Sequence, residues 1–357
     1  MGLNKRLIGA GATASGALTP SENFKVVTYT GNGGTQSINV GFKPDFVWIK
    51  QRNATNHHRL LDSTRGATKI LYSSLSYAED TESTGLTAFT STGFNLGAQQ
   101  SVNDNNDTYV AWCWKAGEGT TSSNTDGTNI DSTVQVNADA GFSIVQFTTP
   151  GTYSASNTVG HGLGATPDMI IMKATASADN WLVYHGSLGL NKLLNLNGSS
   201  AAATLPGGIL FSTVNDTVFN PADTSTPSYP YIAYCFKSIE GYSKFGSYTG
   251  NGSDNGPIVE TGFEPAFLMF KRTDSASAWV MIDNARDPSN PRLKYLMAQG
   301  VNSEASDLNR VDFLANGFQI KDDYADWKIK FTVNRVILFP KDSEPGCKYS
   351  GTVYLKA

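Results

Sequence analysis

The chain has 357 residues, with 27 Lys and Arg against 31 Asp and Glu, a net charge of −4. That balance excludes binding through a basic face, so no nucleic-acid partner is expected, and the length holds two or three domains rather than one. Charged residues make up only 16%, and a surface rich in Gly, Ser, Thr and Asn suits an all-β protein with many turns.

Residues 1–20, "MGLNKRLIGAGATASGALTP", hold Lys5 and Arg6 followed by only Leu7 and Ile8 before small residues take over. That apolar run is too weak for a cleaved signal, and Arg6 stands where a myristoylation motif at Gly2 needs Ser or Thr. No stretch is apolar for long enough to span a bilayer, so no membrane insertion is expected. "GAGATA" (9–14) formally fits a dinucleotide loop but lacks the flanking strand and helix, so no cofactor is expected. Nothing in the segment can build a core. It reads as an arm, disordered in isolation, with Lys5, Arg6, Leu7 and Ile8 as candidate contacts to a partner protein.

From residue 21 onward the chain repeats itself. "PDFVWIK" (44–50) returns as "PDMIIMK" (167–173) and "PAFLMFK" (265–271). A second short strand follows each: "HRLLD" (58–62), "WLVYH" (181–185) and "WVMID" (279–283). From Lys50 to His58, Lys173 to Trp181 and Lys271 to Trp279 the step is always eight, which predicts three hairpins of fixed register. "FTSTGFNL" (89–96) matches "FLANGFQI" (313–320), and "YVAWCWK" (109–115) matches "YIAYCFK" (231–237). "YTGNG" occurs at 29–33 and 248–252, where Asn-Gly predicts a hairpin turn.

These phrases divide the chain into module one (21–116), a polar linker (117–131), module two (132–239) and module three (240–357). Module three follows module two almost at once, which predicts packed neighbours. In "YVAWCWK", Tyr109, Ala111 and Cys113 point one way and Val110, Trp112 and Trp114 the other; both faces are apolar, so the strand is covered on both sides. Short strands broken by Gly, Asn and Pro clusters predict antiparallel β-sandwich modules of jelly-roll type. Short helices are expected around 292–299 and 78–83. After Ile320 the third copy loses its Tyr-x-Ala-x-Cys strand, so either a different terminal strand closes the sandwich or this end serves another purpose.

Few residues suggest chemistry. The three cysteines, Cys113, Cys235 and Cys347, form no disulfide framework, and Cys113 and Cys235 read as small buried hydrophobes in separate sandwiches. His57 and His58 lack a ligand set, so no metal is expected. His58 aligns with Trp181 and Trp279, and His185 with Asp62 and Asp283; packing and local hydrogen bonds outrank catalysis for both. Asp45 and Asp168 read as turn caps. "NDNNDT" (103–108) lacks EF-hand spacing. No nucleophile elbow or phosphate loop is present, so no catalytic residue and no enzymatic activity are expected. Tyr72, Tyr77, Tyr153 and Tyr229 fall in segments that differ between copies, and loop tyrosines suit stacking on sugars or protein contacts.

"SENFKVVTYTGNG", "GFKPDFVWIKQRN", "GFNLG", "YVAWCWKAG", "TVGHGLGATPDMIIMK" and "GFEPAFLMFKRTD" resemble repeat modules of structural proteins from tailed bacteriophages, especially marine ones, over residues 21–320. The resemblance implies a non-enzymatic virion protein of the tail or tail fibre that contributes to host attachment. Its expected partners are other virion proteins and a host surface receptor such as a polysaccharide. Homo-oligomerisation and anchoring through the arm are expected on a symmetric particle. Two alternatives remain: a capsid decoration or head-fibre protein, and a carbohydrate-binding array or polysaccharide depolymerase using two of Asp62, Asp283 and Glu264.

Overall fold

A computed structural model describes residues 18–151, 154–204, 211–221, 228–253, 255–306 and 311–321, with the backbone of 333–340 and the Phe339 side chain. The protein is an all-β sandwich fold. Twelve strands carry the repeat: β1 (Phe24–Thr30), β2 (Phe46–Gln51), β3 (Arg59–Asp62), β4 (Thr108–Trp114), β5 (Phe142–Thr148), β6 (Met169–Ala174), β7 (Leu182–His185), β8 (Pro230–Phe236), β9 (Lys244–Thr249), β10 (Pro265–Arg272), β11 (Trp279–Asp283) and β12 (Val333–Pro340). The module-one sheet has the order β1-β4-β2-β3, and modules two and three repeat it as β5-β8-β6-β7 and β9-β12-β10-β11. All these pairs are antiparallel.

The seven-residue phrases form the inner hairpin strands. Ile49 pairs with Arg59, Met172 with Leu182 and Lys271 with Trp279, so the eight-residue step does fix one register in three places. Each main sheet is faced by a small three-stranded sheet, for example Gln36–Asn39, Gly93–Leu96 and Leu86–Thr90 in module one. The glycine of the repeated Gly-Phe is set by close approach. A Cβ on Gly93 would lie 1.9 Å from the Ile38 carbonyl oxygen, and one on Gly317 2.0 Å from that of Val259.

Pleating sends alternate residues to two different cores. Val47, Ile49, Ala111 and Cys113 join Ile38, Phe94 and Leu96 inside module one. Ile170, Met172, Ala233 and Cys235 do the same in module two, and Leu268, Phe270, Val280 and Ile282 in module three. The opposite faces do not meet water. Phe46, Trp48, Trp112 and Trp114 from module one, Met169, Ile171, Tyr234 and Phe236 from module two, and Phe267, Met269 and Phe339 from module three form one continuous shared core. Phe46 stacks on Tyr234 at 4.2 Å between ring centroids, and Phe24 on Phe339 at 4.2 Å. Three sandwiches therefore surround a fourth core that none of them owns.

Three sequence expectations need correction, and the alternative left open for the C-terminal end is decided. The Asn-Gly at 32–33 makes no hairpin: β1 pairs with β4 while Gln36–Asn39 pairs with Gly93–Leu96, so the turn crosses between sheets. The Asn103 side chain holds it by donating to the Gly34 carbonyl at 2.7 Å. No helix forms at 78–83 or 292–299, where short strands Asp80–Thr81 and Leu296–Met297 lie instead; α1 (Gln100–Asn103) is the α-helix among the described residues. Edge pairing overrides the local helical pattern there. The segment 117–131 is more than a linker, because Ser122–Asn124 pairs with Ser132–Asn137 and Asn129–Ile130 with Thr158–Gly160. After Ile320 the divergent end closes module three: β12 inserts between β9 and β10, the place that β4 and β8 hold in their modules.

Candidate functional site

The contacts between modules follow a closed pattern built from equivalent positions. Leu60 bridges Leu71, Val183 pairs with Leu194, and Met281 with Leu296. The next residues, Tyr72, Asn195 and Met297, therefore correspond. The Trp181 indole of module two donates to the Tyr72 carbonyl of module one at 2.8 Å. The Trp279 indole of module three donates to the Asn195 carbonyl of module two at 2.9 Å. The ring closes at His58 of module one, whose Nε2 lies 3.1 Å from the Met297 carbonyl oxygen of module three. A backbone ring runs in the opposite sense: Glu79 N–H to Thr175 O at 2.7 Å, Ala202 N–H to Thr273 O at 2.8 Å, and Glu304 N–H to Arg52 O at 2.7 Å. Each of the three seams thus carries one bond of each ring.

Buried ion pairs reinforce two seams. Asp62 and Asp283 are both 0% exposed. Arg65 Nε donates to Asp62 and Arg286 Nε to Asp283, each at 2.6 Å. The neighbouring module completes each pair: the Tyr234 hydroxyl donates to Asp62 at 2.8 Å and the Trp112 indole to Asp283 at 3.1 Å. Burial, and then the Asp62 charge, push the Tyr234 phenol well above its usual range, so it serves as a donor. Glu79 accepts from Arg65, and Glu304 from both Arg286 and Arg52. At the third seam module two has His185 and Leu188 where the other copies have Asp and Arg. The His185 ring instead accepts locally from the Ser187 amide.

The lysine that ends each repeated phrase is also structural, a role the sequence did not reveal. Lys50, Lys173 and Lys271 are 1%, 0% and 0% exposed. Lys173 donates to the carbonyls of Ala174 at 2.6 Å and Ser177 at 2.8 Å, Lys50 to those of Gln51 and Ala54, and Lys271 to that of Arg272. Each ammonium thus pins the turn of its hairpin. Burial pulls Lys50 and Lys173 down to about 8. Asp45 caps as expected, accepting from the amides of Ala116, Glu118 and Gly119 and from the Ser63 hydroxyl. Asp168 accepts from the Ser238 amide.

Cys113 and Cys235 are free thiols, fully buried in separate sandwich cores. Burial pushes both thiols well up, so neither is a thiolate nucleophile at neutral pH. Alkylating reagent should therefore leave both unmodified in native protein and label both after denaturation, as read by intact and peptide mass.

The tyrosines singled out in the sequence do not form one surface. Tyr77 is 61% exposed. Tyr72 is half-buried, with the Arg59 guanidinium 5.3 Å from its ring centroid and its hydroxyl donating to Asp80 at 3.2 Å. Tyr229 packs against the module-two core. Tyr153, Lys5, Arg6, Leu7 and Ile8 lie outside the described residues. An open groove of about 500 Å³ lies between modules one and two, lined by Leu18, Lys115, Glu118, Asn137 and Asp139 among others. No group of three or more His, Cys, Asp or Glu among the described residues could hold a metal ion. The geometry supports a rigid body with exposed loops.

A family model described as "Domain of unknown function (DUF7483)" matches residues 19–329, and the chain belongs to that family. The match runs through modules one and two and into module three, and ends before β12. Neither the comparison with curated proteins nor that with solved structures yields a match.

Proposed function

We propose that this DUF7483 chain is a non-enzymatic virion structural protein of a tailed bacteriophage, placed in the tail or tail fibre and contributing to host-surface attachment. The observation that carries the reading is the closed three-module body, in which three sandwiches share one aromatic core and two rings of hydrogen bonds. Such a body holds surface loops in fixed positions, which an appendage exposed to shear requires. The phrases resembling phage structural modules lie within this ring. In this reading several copies sit on the symmetric particle, the arm contacts other virion proteins, and Tyr77 is the most accessible of the described candidate receptor contacts.

Two of the three acids that a polysaccharide depolymerase could have used have another occupation, and Glu264, half-buried, is left without a second carboxylate among them. Asp62 and Asp283 are sealed in ion pairs at the seams, away from any substrate. Mass-spectrometric inventory of purified particles should find the chain, and labelled-antibody electron microscopy should place it on the tail. Its absence from particles would sink the proposal. Labelling on the head would replace the tail role by capsid decoration.

A further inference from the structure

We propose that the seam between modules one and three is an acid-labile latch: protonation of His58 loosens it while the other two seams stay closed. The inference concerns the ring itself and stands whether or not the chain is a virion protein. His58 is 0% exposed and bonded on both ring nitrogens. Trp48 Nε1–H donates to Nδ1 at 2.8 Å, and Nε2 faces the Met297 carbonyl oxygen at 3.1 Å. A tryptophan indole is a donor only, so Nδ1 must be bare and Nε2 must carry the proton. A second proton would set an N–H against the Trp48 N–H and place a charge among groups that repel it. Lys50 of β2, Arg286 beyond β11 and the adjacent His57 are the charged and titratable groups acting on the ring. Burial and then Lys50 accordingly hold its pKa well below the usual histidine value.

The bonds that close the other seams do not titrate, because their equivalent donors are the indoles of Trp181 and Trp279, and the one histidine at the third seam, His185, bonds to Ser187 of its own module through Nδ1. The exchange is compensated in volume. Module one pairs Trp48 with His58, where module two pairs Ile171 with Trp181 and module three Met269 with Trp279. The same seam contains the Glu304 carboxylate, accepting from Arg52 and Arg286. Burial pushes that carboxyl up, but the bonds and charges of the two arginines outweigh burial and hold it below its ordinary value. Both groups therefore act in one direction. Above about pH 6.5 the unfolded and folded forms of His58 are both neutral and the histidine takes nothing from the stability of the seam. Between that value and the lower folded pKa the open form binds the extra proton, so stability falls with pH. Glu304 adds a second loss below about pH 4.5.

Hydrogen exchange on the full chain reads this directly. The amides of Glu304 and Asn56, bonded to Arg52 and Val301, report the seam between modules one and three; those of Glu79 and Ala202 report the other two. Taking the ratio of protection between seams cancels the intrinsic pH dependence of exchange. Below pH 6.5 the relative protection of the first seam should fall by up to about tenfold per pH unit. The double substitution Trp48→Ile with His58→Trp installs the pair found in module two and should flatten the ratio between pH 7.5 and 5. Glu304→Gln should leave the fall in that window intact. A flat ratio in the unsubstituted protein overturns the proposal, whatever the variants do. So does an undiminished fall in a folded double variant.

Discussion

Module one separated from its neighbours will not fold. Expressed alone, residues 18–116 should give an expanded chain that binds hydrophobic dyes and lacks near-ultraviolet circular dichroism. The module has its own inner core, so an independent sandwich is the natural rival expectation. The magnitudes decide against it. Phe24, Phe46, Trp48, Trp112 and Trp114 all face the shared core and are at most 3% exposed in the intact chain. At roughly 2 kcal/mol for each buried side chain, exposing five of them forfeits about 10 kcal/mol, as much as the whole net stability of a typical domain. A sharp two-state thermal transition from the isolated fragment would show that the shared core is a contact between finished domains.

The second large effect is expected at Arg286. Replacing it by alanine leaves Asp283 buried beside Trp112 with its counter-charge gone, and removes one of the two arginines on Glu304. Losing one member of a buried pair costs about 3–5 kcal/mol, because the remaining charge stays desolvated. Urea unfolding of Arg286→Ala should show that loss as a lower midpoint with little change in slope. The matching change at Arg65 should act similarly through Asp62 and Glu79. A loss below about 1 kcal/mol, the scale of a surface ion pair, would mean that the pair is hydrated and contributes little.

Much of each module was legible in the sequence because its determinants are local. The eight-residue step between repeated phrases gives the hairpins, and two-sided apolarity in "YVAWCWK" gives strands covered on both faces. What covers the second face was not legible, since pleating shows only that a face is buried. The partner of Trp112 is Asp283 and that of His58 is the Met297 carbonyl, contacts between distant parts of the chain. One signal was present in the alignment of His58 with Trp181 and Trp279. Beyond aromatic shape, these three side chains share a ring N–H, which is the group each seam uses. The lysine ending each phrase had no role assigned from the sequence, because only the turn carbonyls around it explain why a lysine is buried there. The Asn-Gly expectation failed because a turn signal fixes the local reversal but not which strand receives the chain afterwards.

Cooperativity tests the shared core most directly. Cys113 lies in the inner core of module one and Cys235 in that of module two, so pulsed alkylation across a urea titration reports the two modules separately in one chain. If the shared core and the hydrogen-bond rings bind the modules into one folding unit, both thiols become reactive at one urea concentration, and that midpoint coincides with the change in tryptophan fluorescence. Two separated midpoints, with Cys113 labelled while Cys235 stays protected or the reverse, would contradict it.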